Sequence, residues 1–408
     1  MGVTKDRRVE LLAPAGNMEK LEIALHYGAD AVYLAGKAFS LRNFADNFTL
    51  DEMRTAIGMA HAAQVKLYVA VNIFARNQDL PAIEAYLRQL TALSPDAVIA
   101  ADPAVVRLVR RIAPSIPIHL STQANTTNAA AAQFWYEQGV QRINVARELH
   151  LTEIGEIAQA CPVEIEAFVH GAMCISYSGR CLLSSFMAHR SGNQGECCQP
   201  CRFQYAVVEE TRPGQYFPVG EDGRGTYLFN SKDLCMLAHL PAMIRSGVGS
   251  LKIEGRMKSI HYTATAVKVY REAIDHYYEA PEQFAPAAHW QQELDKITSR
   301  GYCTGFYLDD PDETLPQYQS PTAAPNPLAA KVLFAAGANK AHVEVRNQIR
   351  SGDGVEIVHP KGPPIPDRIQ KIVDLNGVAV GLAQPGSRVT LHLSNDCSRL
   401  DLLRHCAV

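Results

Sequence analysis

The strongest constraint on the fold is an alternation. Short β-prone apolar runs recur along the first 256 residues, and most are followed by a stretch with apolar residues at three- and four-residue steps. The runs are VELLAP (9–14), AVYLAG (31–36), KLYVAVN (66–72), DAVIAAD (96–102), IHLSTQ (118–123), RINVARE (142–148), VEIEAFVHG (163–171) and SLKIEGR (250–256). Helical spacing marks 18–28, 50–64, 80–93 and 128–139, with Gly28 and Gly139 where a helix C-cap would fall. Strands alternating with helices imply a parallel sheet. Eight such units fit an eight-fold β/α (TIM-like) barrel; an open doubly wound sheet is the alternative, because periodicity alone does not close a barrel.

Between the seventh and eighth runs lie about eighty residues, 171–249, which hold most of the cysteines. This reads as a cysteine-bearing insertion on the seventh βα loop, and in a barrel that loop lies on the catalytic face. The stretch 261–280 reads as an amphipathic helix. A Pro/Ala/Ser-rich segment follows, and the expected division is a barrel domain over 1–318, a linker over 319–328 and a small C-terminal β-barrel-like domain over 329–408. That last part has ten Lys and Arg against seven Asp and Glu, a mildly basic balance in a chain of net charge −3.

The N-terminus shows no apolar signal-peptide core and no run reaches the ~18 apolar residues of a membrane span, so a cytoplasmic protein without a membrane partner is expected. In a reducing compartment, clustered cysteines point to metal binding or catalysis before disulfides. The spacing is Cys174-x6-Cys181-x15-Cys197, then Cys198, Cys201 and, further on, Cys235. Thiolates are soft ligands suited to zinc or iron–sulfur clusters. A zinc ribbon would show two C-x2-C knuckles, whereas Cys198 and Cys201 form a single pair. The spacing leaves three readings open: a metal centre, catalytic thiols and ordinary buried cysteines.

Side chains at the C-terminal ends of barrel strands can meet a substrate. Those candidates are Asn17, Asn72, Asp102, Gln123, Arg147, Glu148, His170, Lys252, Glu254 and Arg256. His170 is either a general acid/base or a packed imidazole. Glu254 and Arg256 share a strand face, as a structural ion pair or with Arg256 holding an anion; Arg180 is a further candidate for that role. Neither an HExxH helix nor a GxSxG elbow is present.

The segment EAFVHGAMCISYSGRCLLS (166–184) resembles the signature of the collagenase-like peptidase family, the thirty-second family of peptidases of unassigned mechanism, at Glu166, Phe168, Gly171, Ala172, Met173, Cys174, Gly179, Cys181, Leu183 and Ser184. LLAPAGNMEKLEIALHYGADAVYLAG, NQGECCQPCRF, YLFNSKDLC, SLKIEGRMKS, RGYCTGFY and VEVRNQIRSGDGVEIVHP resemble further landmarks, so the likeness spans nearly the whole chain. The resemblance is greatest to the branch that makes 5-hydroxyuridine in tRNA. It implies an oxygen-independent hydroxylase acting on wobble uridine, with a [4Fe-4S] cluster on Cys174, Cys181, Cys197 and Cys235, Cys198 or Cys201 being the alternative ligand. It also implies tRNA as partner and a small carboxylated metabolite, prephenate, as co-substrate. Among the residues, His170, Glu254 and Arg256 are the expected catalytic groups. The alternatives are a peptidase, as the family's name says, and an RNA-binding module with structural zinc. The oligomeric state is left undetermined.

Overall fold

In the computed structural model the eight runs become the eight strands of a closed parallel barrel. It describes residues 8–40, 46–173, 177–178, 180–188, 190, 197–198, 200, 220–222, 225–227, 232–308 and 326–406. The barrel strands are β1 (Glu10–Pro14), β2 (Ala31–Ala35), β3 (Lys66–Val71), β4 (Ala97–Ala100), β5 (Ile118–Leu120), β6 (Arg142–Asn144), β7 (Glu164–Ala172) and β8 (Val248–Ile253). Each pairs in parallel with the next, and β8 closes the ring on β1, with Glu10 opposite Ser250 and Leu12 opposite Lys252. That closure excludes the open sheet.

The helices α1 (Met18–His26), α2 (Leu50–Ala62), α3 (Leu80–Thr91), α4 (Pro103–Ile112), α5 (Ala129–Glu137), α6 (Leu151–Ala160), α7 (Leu240–Arg245) and α8 (Ile260–Glu279) each follow one strand. Their starts are locally encoded. Asn17, Asp102 and Ser259 accept backbone N–H groups at the first turns of α1, α4 and α8, and Thr49 with Glu52 forms a capping box on α2. Gly28 and Gly139 take φ of 99° and 82° just past α1 and α5, as their places after the helical stretches suggest. The main apolar core lies between barrel and helices, and a smaller cluster of Leu12, Tyr33, Tyr68, Ile99 and four alanines fills part of the barrel interior.

Two strands are shorter than the sequence suggests. β5 stops at Leu120, and Thr122–Ala124 form a 3-10 turn ending on Asn125 in the left-handed region at φ 52°. β6 stops at Asn144. The residues beyond both ends become loop at the barrel mouth. β7, in contrast, runs on past its neighbours, and a short strand, Asp233–Cys235, lies antiparallel to its end with Cys235 opposite His170. The expected insertion also contains α7, which takes the place of a regular barrel helix before β8.

Beyond helix α9 (Ala288–Asp295), the C-terminal part is an antiparallel sheet with its own core of Val343, Val345, Ile357, Leu391 and Leu403 among others. Its strands are β9 (Leu328–Ala335), β10 (Lys340–Val345), β11 (Gly354–Val358), β12 (Ile365–Arg368), β13 (Lys371–Val373), β14 (Ala379–Val380), β15 (Arg388–His392) and β16 (Leu402–His405). Their order is β12-β11-β16-β9-β10-β15-β13-β14, so the last strand in sequence sits in the middle. Most of the expected linker, 319–325, lies outside the described residues.

The sheet is tied to the barrel helices by buried polar groups. Arg404, fully buried, donates to Glu293 of α9 at 2.7 Å and to Glu356 at 2.6 Å. Asp401, also fully buried, meets His26 of α1 at 3.3 Å and His359 at 2.8 Å. Glu19, in the first turn of α1, pairs with Lys331 and Arg346.

Candidate functional site

The barrel interior has a charged lower layer. Arg142 of β6 is 2% exposed and donates to Glu10 through both terminal nitrogens, at 2.6 and 3.2 Å, and to Glu164 at 3.0 Å. Ser250 and the Tyr68 hydroxyl also donate to Glu10, at 3.0 and 2.7 Å. Burial works to raise the Glu10 carboxyl, yet the charge and hydrogen bonds of Arg142 hold it below its ordinary value. The fork of a guanidinium suits this job, because it can serve several carboxylates from one fixed plane. Beside it, His119 packs edge-on against Tyr68, and burial, reinforced by Arg142 and Lys252, keeps its imidazole neutral.

Glu166 links this layer to the one above. It accepts from Arg142 at 3.4 Å and from Lys252 of β8 at 2.7 Å. Burial pulls the Lys252 ammonium below the usual lysine value, against the attraction of Glu166. Lys252 also stands over the Tyr33 ring at 4.5 Å.

Above Lys252 a cavity of about 170 Å³ opens at the C-terminal ends of the strands. Its aromatic walls are Tyr33 and Phe168, the latter covered by the Arg147 guanidinium at 3.7 Å. Arg147 is fixed by donating to the carbonyl of Ala172 at 2.9 Å. Asn72, Gln123 and Asn144 also line the cavity, and the side-chain oxygen of each is buried without a hydrogen-bond partner among the described residues. An amide oxygen in that condition costs free energy unless something else supplies a donor. Ser121, Thr122, Ser178, Glu254 and Arg256 complete the polar lining.

The sequence candidates therefore divide. Asn72, Gln123, Arg147, Lys252, Glu254 and Arg256 converge on the cavity. Asn17 instead caps α1 and donates to Asp46, and Asp102 caps α4 and accepts from Ala75 N–H. Arg180 stands over Phe74. His170 is off the cavity wall. The pairing of β7 with β8 shifts register between Phe168 and His170, and the imidazole packs among Tyr262, Tyr270 and Tyr302 with ring centroids 5.4–5.8 Å away. Burial lowers its pKa to about 4, so it is a neutral packed ring. Of the two sequence readings, the packed imidazole describes its position.

The signature positions acquire physical roles. Glu166 holds Lys252, and Phe168 makes a cavity wall. Gly171, at φ 109°, lies so close to β8 that an added Cβ would meet the Glu254 carbonyl oxygen at 2.5 Å and the Tyr262 hydroxyl at 2.8 Å. Gly16 gives the same clearance to the loop after β8: its Cβ would sit 2.0 Å from the Arg256 carbonyl oxygen.

The cysteines are less uniformly placed. Cys181 and Cys197 both line the cavity. Cys198 lies 3.4 Å from the Ser184 hydroxyl and its backbone N–H donates to that oxygen at 3.2 Å. The Cys235 thiol faces the Tyr270 hydroxyl at 3.6 Å, is absent from the cavity lining, and is pushed up in pKa by burial. Cys174 and Cys201 lie outside the described residues. Among the described residues no group of three or more His, Cys, Asp and Glu side chains is arranged for a metal ion. The described part of the site thus offers two soft donors on one wall, against the four a cubane cluster takes.

Tyr33, Ser121, Thr122, Asn144 and Phe168 belong to the cavity although sequence reasoning did not single them out as site residues. A signal existed for one: Arg142 and Asn144, two apart in a short strand, must point the same way.

Comparisons with known proteins bear on the chain. The pattern of the peptidase family U32 matches residues 16–317, and that of the family's C-terminal domain matches 328–404. The tRNA hydroxylation protein P1 of Bacillus subtilis is 40% identical over 373 residues, covering 91% of this chain and 88% of its own length. The tRNA hydroxylation protein P of Helicobacter pylori strain J99 is 44% identical over 321 residues, 78% of this chain and 75% of its own. A collagenase of Porphyromonas gingivalis is 30% identical over 311 residues, covering 73% of each chain.

Proposed function

Because the chain belongs to the peptidase family U32, and because its cavity is built from aromatic walls and carboxamides, we propose that it is a tRNA-modifying enzyme that hydroxylates wobble uridine at C5. The observation that carries this reading is the set of three buried amide oxygens, on Asn72, Gln123 and Asn144, that lack partners among the described residues at one cavity. A carboxamide presents a donor and an acceptor side by side, and the Watson–Crick edge of uracil does the same. Tyr33 and Phe168 offer faces on which a base can stack. A base must leave its neighbours to be modified, and anticodon-loop bases are already partly unstacked. The names of the Bacillus and Helicobacter relatives support hydroxylation of a tRNA.

In this reading Asn72, Gln123 and Asn144 orient the ring, while Arg147, Lys252 and Arg256 hold a carboxylated co-substrate such as prephenate on the same wall. Lys252, already tied to Glu166, offers its remaining N–H donors to that anion. Cys174, Cys181 and Cys197 would hold a [4Fe-4S] cluster, with the fourth place falling to Cys198, Cys201 or Cys235; the presence of Cys181 and Cys197 on the cavity wall supports this. Such a cluster, when bound, supplies one-electron redox chemistry. The peptidase reading finds less support: the imidazole that would activate a nearby thiol, His170, is turned away from the cavity.

Nucleoside mass spectrometry of tRNA from cells lacking the gene tests the proposal. Loss of 5-hydroxyuridine and its derivatives is expected; an unchanged profile overturns it. Iron and sulfide analysis of anaerobically purified protein tests the cluster, and zinc in their place would refute it.

A further inference from the structure

The exposed face of the C-terminal sheet carries an ordered pattern that the cavity chemistry does not use. Strand alternation turns Ala341, Val343, Val345, Val389, Leu391 and Ile372 inward, which leaves Lys340, His342, Thr390, His392 and Lys371 on the opposite face. In one row, Lys340 of β10 lies directly opposite His392 of β15, and His392 directly opposite Lys371 of β13. Two interstrand steps set the lysine Cα atoms about 10 Å apart. Slight burial and then the charges of Lys340 and Lys371 lower the pKa of His392, so the positive charge of the row rests on the two lysines. In the next row Phe334 stacks on His342, with centroids 4.7 Å apart and planes 23° from parallel, yet Phe334 remains 53% exposed. His342 is braced by Thr390 at 3.3 Å. Beyond β13, Leu375 and Val378 are exposed on the turn to β14.

The acidic groups of this domain are mostly engaged elsewhere. Glu356 and Asp401 serve the contact with the barrel, Asp367 caps Ser394 and Asn395, and Asp353 caps Arg350. Asp374 and Asp396 accept backbone N–H groups at the edges of the face, and Glu344, one row from His342, pairs with Arg346 at 3.4 Å. Arg346 in turn pairs with Glu19 in the first turn of α1, the turn that starts at the cavity end of the barrel. Arg346 thus ties the margin of the sheet to the first turn of α1.

We propose that this sheet face, with Phe334 stacked on His342 beside the Lys340–His392–Lys371 row, is a docking surface for a single-stranded stretch of RNA. The lysines meet phosphates, and Phe334 takes an unstacked base; a sheet face with an exposed ring suits single strands better than a duplex, whose bases are already stacked. The inference rests on the tRNA reading above and deepens it by placing a second contact outside the cavity.

Binding of a full tRNA transcript to the full-length protein, followed by fluorescence anisotropy over a salt series, tests it. K340A/K371A should weaken binding about tenfold near physiological salt and flatten the slope of log K against log salt by about 1.4 to 1.8, since two phosphate contacts are lost. F334A should weaken it about fivefold or more while leaving the slope unchanged. K361A, an exposed lysine off this face, is the control. Wild-type affinity and slope in both variants, with wild type binding tRNA, overturn this inference alone. Failure of wild type to bind tRNA overturns the substrate reading together with it. Loss of a co-purifying protein in F334A with RNA affinity intact would assign the face to a protein and overturn the proposal.

Discussion

The two layers inside the barrel are made of similar residue types and are finished differently. In the lower layer Arg142, Glu10, Glu166, Ser250 and Tyr68 satisfy one another, and none of their polar atoms is left buried without a partner. In the upper layer Asn72, Gln123 and Asn144 each keep an unmet oxygen. The acid–base network of the lower layer is closed, although the neighbouring His119 keeps one unmet ring nitrogen; the upper layer keeps several acceptors turned to a space. The contrast teaches that polarity inside a barrel does not by itself mark a site. Unspent hydrogen-bonding capacity around a space does.

The largest expected effect comes from breaking the lower layer. R142M leaves Glu10 and Glu166 buried without their guanidinium, and should lower stability by about 3–5 kcal/mol, measured by denaturant unfolding. A loss under about 1 kcal/mol would show that water reaches this layer. A smaller effect follows from His119. Its folded pKa lies below the unfolded value near 6.5, so the unfolded chain binds more protons once pH falls under 6.5. That contribution to stability is present above this value and drains away below it, by at most about 1.4 kcal/mol per pH unit. H119Q should lose less stability between pH 7 and pH 5 than wild type; parallel curves would refute the neutral imidazole. The smallest effect on stability belongs to the upper layer. N144L removes a polar group that has an unmet atom, and should change unfolding free energy by no more than about 1 kcal/mol in either direction. The same variant should reduce 5-hydroxyuridine formation by more than tenfold. A large loss of stability with activity retained would reverse the assignment of the two layers.

Much of the architecture was legible because each barrel strand announces itself locally, as an apolar run of strand length between helix signals. Caps such as Thr49 with Glu52 are likewise written in a few adjacent residues. The site was legible where a polar residue ended a strand, as with Asn72, Lys252 and Glu254. Two features escaped for physical reasons. The register shift after Phe168 reverses the direction of His170, and alternation read along one strand carries no record of how its neighbour pairs. The partnership of Arg142 with Glu10 spans 132 residues of chain and exists only once the barrel has closed. The sharing of the cavity by Cys181 and Cys197 depends on closure in the same way.

The central place of β16 in the C-terminal sheet has a consequence for biosynthesis. A polypeptide emerging from the ribosome has made β9 to β15 before Leu402–His405 arrives, yet β11 and β9 meet only through that strand. Until then β11 pairs only with β12, and its other edge stays open. Without Leu402–His405, β9 and β11 would each keep an unpaired edge inside the sheet, and an open edge of that kind is a template for pairing with foreign strands.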